Sequence, residues 1–304
     1  MNINGLIRFL VFPGLLFAIP AGWFFVWVEH KAVARMQRRI GPPLLQIFWD
    51  FVKLLGKRTP SRHGIEANLL RIYPVLSVLS LLGALALLPV FPNADHGFSG
   101  DGILLVALLE LPSICFILAG FTSRSIYGEI GATREAVLGV ANNVVFLLAI
   151  LTIAVTANTF RLTDLAGPSW NPGHWIGVLG ILLCIPAKLR INPFSTSSAE
   201  QEIYSGPLTE YAGAALAMWE LAHGLEWVAL TGLVATLVMP AGGPWWLRVL
   251  TFVVVAFLQV LLLSAIGAGT ARFTLQRSMR VYWRWAVILA GLAMSSAIYM
   301  RFHS

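Results

Sequence analysis

Ionisable side chains interrupt two of the most apolar stretches of this sequence. Glu110 lies inside the run from 102 to 121, and a later run contains Glu220, His223 and Glu226. Intervals of three residues place the last three side chains near one face of a helix. Ionisable groups inside a bilayer are costly and are typical of proton relays. The alternative is that Glu220 or Glu226 lies near an interface and extends its carboxylate to water.

Residues that would bind a redox cofactor are sparse. Cys115 and Cys184 are the two cysteines, the six histidines have no metal-ligand spacing, and neither a G-x-G-x-x-G nor a P-loop motif occurs. Iron–sulfur clusters require several thiolates, and these glycine-rich motifs are the usual nucleotide signatures. We therefore predict that this chain binds no metal or cofactor and supplies no catalytic residue, so that redox chemistry takes place in a partner.

The composition is that of a protein embedded in lipid. Of 304 residues 58% are apolar and 12% are charged, with a mean hydropathy of +0.77. That charge is about half of the usual fraction, which excludes a soluble globular enzyme, a disordered tail and a disulfide scaffold. Basic residues occur in short gaps between apolar runs, so the net charge of +7 predicts membrane orientation rather than binding to nucleic acid. Residues 1–304 are expected to form a single membrane domain.

Apolar runs predict about eight transmembrane helices in an all-α integral membrane protein. A bilayer core needs roughly 20 apolar residues of helix, and continuous runs of this length indicate helices rather than a barrel. The predicted spans are 6–28, 69–91, 102–121, 137–157, 175–190, 211–239, 245–268 and 283–300.

The distribution of arginine and lysine predicts the orientation. Basic residues fall mainly in the gaps 30–68, 122–136, 191–210 and 269–282, and the intervening gaps are nearly neutral. By the positive-inside rule these four loops are expected to be cytoplasmic, with both termini on the opposite side of a cell (inner) membrane.

A short amphipathic helix is predicted over 43–57, within the first basic gap. Its polar residues recur at steps of 4, 3 and 4, which gives one narrow stripe: Gln46, Asp50, Lys53 and Lys57. The segment is too short to span, so it is expected either to lie in the interface or to be clamped across the other helices. An ordinary solvated surface helix is the alternative.

Three arginines precede this helix beside the Gly41–Pro43 break: Arg35, Arg38 and Arg39. They form a strongly basic loop, for which anchoring to lipid headgroups is the simplest explanation. Acidic residues cluster in two other gaps, in one case with an arginine: Glu129, Arg134 and Glu135 in one, Glu200, Glu202 and Glu210 in the other. Because acids contribute little to orientation, these clusters indicate either docking to a basic partner surface or a proton route.

Three long motifs carry a family resemblance: residues 27–57 (WVEHKAVARMQRRIGPPLLQIFWDFVKLLGK), 130–140 (IGATREAVLGV) and 192–213 (NPFSTSSAEQEIYSGPLTEYAG). The region around Arg272 matches more weakly. In this order and spacing they resemble the complex I subunit 1 family. They look closest to the membrane anchor subunit of energy-converting NiFe hydrogenases, which is subunit 4 of formate hydrogenlyase.

The resemblance implies a non-catalytic membrane anchor and proton-coupling subunit of a respiratory-type hydrogenase or formate hydrogenlyase complex. The implied partners are hydrogenase-like small and large subunits, an iron–sulfur subunit, antiporter-like membrane subunits and the lipid bilayer, without nucleic acid. Their cofactors would be 4Fe–4S clusters and, where the partner retains it, a NiFe centre. The implied proton path combines with the buried acids above to give Glu110, Glu129, Glu135, Glu200, Glu202, Glu210, Glu220 and His223. The implied peripheral-arm interface comprises Arg35, Arg38, Arg39, Asp50, Lys53, Arg134 and Arg272.

Two other functions are considered. The chain would instead line the quinone site as subunit 1 of an NADH:quinone oxidoreductase, or it would be a free-standing transporter or channel. Internal repeats and helices broken near the midplane are typical of transporters, and the sequence has no such repeat, which argues against the last possibility.

The sequence departs from the family at three expected carboxylates. Asn143, Ser195 and Ser198 stand where the resemblance implies acids. Neither serine nor asparagine can hold an ionised charge. Our hypothesis is that Glu110 and the face of Glu220, His223 and Glu226 take their place.

Overall fold

A computed structural model describes residues 15–57, 65–89, 97–167, 171–238 and 245–303. Every regular element in these ranges is helical, which confirms the predicted all-α fold. In chain order the α-helices are α1 (Leu15–Met36), α2 (Gln46–Gly56), α3 (Ile65–Leu87), α4 (Asp101–Thr122), α5 (Ile126–Ala157), α6 (Leu162–Leu165), α7 (Pro172–Lys188), α8 (Glu200–Ile203), α9 (Gly213–Val238), α10 (Trp245–Gly269) and α11 (Leu275–His303). A 3₁₀ turn, Gly206–Glu210, lies between α8 and α9.

Eight of these helices are long enough to form a membrane bundle. Five of them, α3, α4, α5, α9 and α10, are long and apolar enough to cross a bilayer, and α7 is a shorter apolar helix of 17 residues. The other two, α1 and α11, have 22 and 29 residues and carry several charges towards one end. The chain is a multi-pass membrane protein, in agreement with the predicted spans.

The connecting segments alternate between the two ends of the bundle. At one end the segment after α7 meets the segment after α10, where the Phe273 amide donates to the Pro193 carbonyl at 2.8 Å. At the other end the Leu162 amide donates to the Asp101 carboxylate at 2.7 Å, and the His174 ring nitrogen Nε2 lies 3.1 Å from the Leu237 carbonyl oxygen. The four predicted basic gaps fall at the first end, which we call the basic end.

Several helices extend further than hydropathy predicts, and the predicted loop boundaries need correction. Residues 126–136 were assigned to the loop 122–136 but form the first turns of α5, and residues 275–282 of the predicted loop 269–282 belong to α11. α5 has 32 residues, about 48 Å of helix, whereas the bilayer core is about 30 Å thick. Hydropathy detects only the part in lipid. The start of the predicted span 6–28 lies outside the described residues.

The predicted amphipathic helix is present as α2. Its inner face packs on α1 and α9: Ile47 and Phe51 contact the core, and the Trp23 ring lies 5.4 Å from that of Phe51. Its outer face leaves large apolar side chains exposed, among them Trp49 and Leu55. The helix is therefore held against the bundle on one side and offers an apolar surface on the other, as expected at an interface.

The segment before α2 folds back on α1 and fixes its position. The Trp27 indole N–H and the Lys31 ammonium both donate to the Pro42 carbonyl, at 3.2 and 3.3 Å. Gly41 adopts a φ of +75°, which a residue with a Cβ rarely adopts. This turn explains the Gly-Pro break in the motif 27–57.

Candidate functional site

Arg190 is the centre of a buried ion cluster at the basic end. It follows α7 by two residues, and its Nη2 lies 2.8 Å from Glu226 Oε2 of α9, while Nη1 lies 3.8 Å from Glu135 Oε1 of α5. The three side chains are 12%, 2% and 6% exposed, respectively. The guanidinium also stacks on Phe116 of α4, 4.7 Å from the ring centroid. One cation thus joins carboxylates from two helices and compensates charges that would otherwise be costly to bury.

His223 extends this cluster along α9. Its Nδ1 lies 4.0 Å from Glu226 Oε2, and its Nε2 accepts a hydrogen bond from the Trp227 indole N–H at 3.3 Å. With Nε2 as the acceptor, the proton of the neutral ring is on Nδ1, which faces the carboxylate. The predicted proximity of His223 and Glu226 is therefore present. Glu220 is exposed and interacts electrostatically with His30 and Asp50 instead.

A second buried ion pair joins Lys188, the last residue of α7, to Glu110 of α4. The ammonium contacts the Glu110 carboxylate directly, and the side chains are 2% and 14% exposed. The same Nζ lies 3.4 Å from Asn143 Oδ1 and 4.3 Å from the centroid of the Phe146 ring. Asn143, where the resemblance implies a carboxylate, thus shares a lysine with Glu110.

The two groups form a continuous set, which we call the buried charge network: Glu110, Glu135, Lys188, Arg190, His223 and Glu226. Glu135 interacts electrostatically with Lys188 and Glu110 as well as with Arg190, so the charges are coupled across the groups. Among the described residues, Glu110 Oε2 and Glu226 Oε1 have no hydrogen-bond partner. Each of these two carboxylates therefore retains an oxygen that can accept a proton.

Loop contacts at the basic end involve three of the predicted site residues. Arg134 Nη1 lies 2.6 Å from Glu202 Oε2 and 3.4 Å from the Thr196 carbonyl. This hydrogen bond and the positive charge of Arg134 hold the pKa of the Glu202 carboxyl below its usual range. Arg272 donates from Nε to the Ser195 hydroxyl at 3.1 Å. The loop between α7 and α9 is therefore tied both to α5 and to the segment before α11.

Glycines make this loop packing possible. A Cβ at Gly131 would lie 2.7 Å from Pro207 Cδ and 2.9 Å from the Ser197 carbonyl oxygen. Gly206 has a φ of +56°, and a Cβ there would lie 2.3 Å from the same oxygen. The glycine-containing motifs 130–140 and 192–213 therefore meet face to face.

A polar cavity of about 310 Å³ opens beside Arg190. Its lining combines residues of α1 and α10 with both loops: Glu29, Val33, Gln37, Arg190, Ile191, Asn192, Ser195, Ser198, Leu263, Gly267 and Arg272. Two of the three departures from the family, Ser195 and Ser198, line this cavity. The cavity therefore has hydroxyl groups at positions where the resemblance implies carboxylates.

Other predicted site residues lie apart from the network. Arg35, Arg38, Arg39 and Glu129 are exposed or partly exposed, as are Asp50 and Lys53 on α2. Asp50 accepts from the Gln46 amide at 3.0 Å. Glu210 ends the 3₁₀ turn and is partly buried. The side chain of Glu200 lies outside the described residues.

Sequence reasoning did not assign a site role to Lys188 or Arg190, which it used only to orient the chain. The signal was available, because both follow an apolar run directly and precede the motif 192–213. Within the described ranges, no group of three His, Cys, Asp or Glu side chains is arranged to hold a metal ion.

Comparison with known proteins gives related results by sequence and by structure. The sequence profile of the family described as NADH dehydrogenase (NADHdh) matches residues 9–298. Hydrogenase-4 component C of Escherichia coli is 32% identical over 83% of this chain and 82% of its own length. A membrane-complex relative from Brevibacillus brevis, a subunit of its NADH-quinone oxidoreductase, is 28% identical over 78% and 74%.

A similar fold occurs in a chain of the membrane-bound sulfane sulfur reductase, an archaeal respiratory membrane complex. The TM-score is 0.85 at 26% identity, and the similarity covers 98% of this chain and 99% of the other. The likeness therefore extends over the whole bundle rather than over one motif.

Proposed function

This chain belongs to the NADH dehydrogenase family, and on that premise we propose that it is the membrane subunit of a hydrogenase-like or complex I-like respiratory complex. Its relatives include a hydrogenase component, a quinone oxidoreductase subunit and a chain of a sulfur-reducing complex. Each of them is one component of a larger assembly. Of the two sequence relatives, the hydrogenase component has the higher identity, which favours the hydrogenase-like assignment.

The finer proposal is that this subunit anchors the peripheral arm and couples it to proton movement. The observation that carries it is the buried charge network, which draws on four helices and lies at the basic end. Coupled carboxylates and a histidine in a low-dielectric site exchange protons when the charge of a neighbour changes. A reduction step in a subunit above this end would supply such a change.

Glu110 is the proposed replacement for the carboxylate that the resemblance implies at Asn143. Both side chains contact the same ammonium group, that of Lys188. A carboxylate presented by α4 would therefore occupy the electrostatic position of one presented by α5. The network would keep its charge despite the departure.

The basic end supplies the proposed surface for the peripheral arm. Arg35, Arg38 and Arg39 lie at the end of α1 and in the following turn, where they reach solvent. The arm would contain hydrogenase-like small and large subunits and an iron–sulfur subunit with 4Fe–4S clusters and, where retained, a NiFe centre. Antiporter-like membrane subunits would bind laterally. The four basic segments would then face the cytoplasm from the inner membrane, with both termini opposite.

A quinone-binding subunit is the second candidate, because of the cavity beside Arg190. Its volume of about 310 Å³ is at the lower end of the range for small-molecule sites. Arg190, Asn192 and Arg272 would provide donors to a quinone carbonyl. Inhibition of the intact complex by quinone-site blockers would favour this candidate.

The first experiment is gentle extraction of a tagged copy from its native membrane, followed by mass spectrometry and metal analysis. Nickel, iron and hydrogenase-type subunits are the expected result. Iron with flavin, NADH-oxidising subunits and bound quinone would establish the second candidate. Recovery of the chain alone, as a metal-free homo-oligomer, would contradict both and revive the transporter.

Coupling is tested separately in proteoliposomes containing the intact complex. Glu110→Gln is expected to reduce proton translocation at least tenfold per turnover because it removes the carboxylate beside Lys188. Glu129→Gln is the matched control, since Glu129 is exposed on the next helix. The Glu220→Gln/His223→Gln variant measures whether that face contributes. Unchanged translocation in Glu110→Gln would contradict the assigned role of Glu110.

A further inference from the structure

A groove on the outer face of α11 lies away from the buried charge network. Its volume is about 890 Å³, and all of its lining residues belong to this one helix: Gln276, Met279, Arg280, Trp283, Arg284, Val287 and Ile288. The opposite face of α11 is buried, and Tyr282 there donates to the Leu183 carbonyl at 3.3 Å. One face of the helix is therefore committed to the bundle and the other is open.

The open face carries two positive charges. Arg280 and Arg284 are both exposed, and neither forms an ion pair with an acidic side chain of the described chain. They are one helical turn apart, so their guanidinium groups can reach the same anion. Planar guanidinium groups bind phosphate oxygens through two hydrogen bonds each.

The depth of these arginines fits the boundary of a bilayer. α11 has 29 residues, which is about 43 Å of helix against a hydrocarbon core of about 30 Å. From position 284 to the next basic residue, at 301, there are 17 residues, or about 26 Å. Arg284 therefore lies near the hydrocarbon boundary at the basic end, with Arg280 one turn outside it.

The side chains around the arginines complete the pattern of a lipid site. Trp283 and Trp285 are exposed beside them, as is typical of tryptophan at a headgroup boundary. Towards the membrane centre the same surface continues with exposed Val287 and Ile288, which would contact acyl chains. The groove thus changes from cationic to aromatic to aliphatic along the direction of the membrane normal.

We propose that this groove binds the phosphate headgroup of an anionic phospholipid through Arg280 and Arg284, with the acyl chains along Val287 and Ile288. The inference rests on charge complementarity and on the position of the arginines in the bilayer. It is independent of the redox reaction of any partner. A lipid held there would cover the one face of α11 that the bundle leaves open.

The test is native mass spectrometry of the tagged full-length protein, in the assembly with which it is purified. Dioleoylphosphatidylglycerol and tetraoleoyl cardiolipin are added in turn, with dioleoylphosphatidylcholine as the zwitterionic reference. Each arginine near an anionic surface is expected to contribute about fivefold to affinity. Arg280→Gln/Arg284→Gln is therefore expected to reduce the preference for anionic lipid more than tenfold.

Two variants separate the groove from general surface charge. Arg277→Gln removes the same charge from the same helix, but Arg277 stacks on Phe273 and does not line the groove; its preference is expected to stay within twofold of wild type. Arg280→Lys/Arg284→Lys keeps the charge and is expected to retain most of the binding. An unchanged preference in the glutamine double variant, or an equal loss in Arg277→Gln, would overturn the proposal.

A partner subunit on this face is the competing occupant. A photo-crosslinking residue at position 287 in native membranes is expected to label lipid. A specific adduct with another membrane protein, together with anionic-lipid binding that does not depend on Arg280 and Arg284, would overturn the lipid site.

Discussion

At the scale of single residues, the fate of one buried arginine decides whether the network holds together. Replacing Arg190 with methionine would leave Glu226 and Glu135 without their shared cation in a buried site. Breaking a buried ion pair from one side costs about 3–5 kcal/mol, whereas removing both charges is far milder. We expect a large loss of stability in Arg190→Met and partial recovery in Arg190→Met/Glu226→Gln, measured as thermal unfolding in lipid nanodiscs.

The control for this cycle is an exposed pair at the same end of the bundle. Arg124 and Glu66 form an ion pair in which the side chains are 77% and 48% exposed. Such surface pairs contribute about 0–1 kcal/mol, so Arg124→Met is expected to shift the unfolding midpoint little. A double variant no more stable than Arg190→Met would mean that Glu226 does not depend on Arg190.

Glu202 provides a pH-dependent contact at the residue scale. Because Arg134 lowers the pKa of Glu202 in the folded protein, the contact stabilises the loop at all pH values above the ordinary carboxyl range. This contribution disappears as the pH falls through the folded pKa, below about pH 4. Hydrogen exchange of residues 195–210 is expected to quicken there, and Glu202→Gln is expected to show the faster exchange already at pH 7. Equal exchange in Glu202→Gln and wild type at pH 7 would contradict this.

At the scale of elements, one close crossing sets the distance between α1 and α9. A Cβ at Gly22 would lie 2.7 Å from the backbone carbonyl carbon and oxygen of Gly224, so α1 would have to move. A Cβ at Gly224 would find its nearest neighbours at 3.4 Å or beyond, which is an ordinary contact. The two glycines therefore differ in what they permit, although they face each other.

Alanine substitutions at the crossing should give opposite results. Gly22→Ala is expected to lower stability by about 1–3 kcal/mol through overpacking, and to shift α1 relative to the His223 region. Gly224→Ala is expected to be neutral or slightly stabilising, because alanine favours the helix. Unfolding midpoints of the two purified variants are the measurement. Equal destabilisation by both would show that the crossing is looser than the structure has it.

The helices themselves were predictable from the sequence, but their ends and partners were not. Apolar runs of about 20 residues identify what lies in lipid, so the predicted spans agree with the helices found. The first turns of α5 were missed because Glu129 and Arg134 give them the composition of a loop. Three-residue spacing correctly brought His223 near Glu226. Only tertiary structure could bring Lys188 and Arg190, at the end of α7, to carboxylates on three other helices.

At the scale of the whole molecule, the separation of basic and neutral segments predicts how the bundle sits in the membrane. The basic end is expected to face the cytoplasm, and two neutral positions can report it. Ile40, 80% exposed, lies at the basic end between α1 and α2, and Ser99 is exposed beside the start of α4 at the opposite end. The native cysteines, Cys115 and Cys184, are 3% and 0% exposed and give little background labelling. A membrane-impermeant maleimide applied to spheroplasts is expected to label Ser99→Cys but to label Ile40→Cys only after permeabilisation. Labelling of Ile40→Cys from outside would invert the bundle and remove the peripheral arm from the side on which the redox chemistry is proposed.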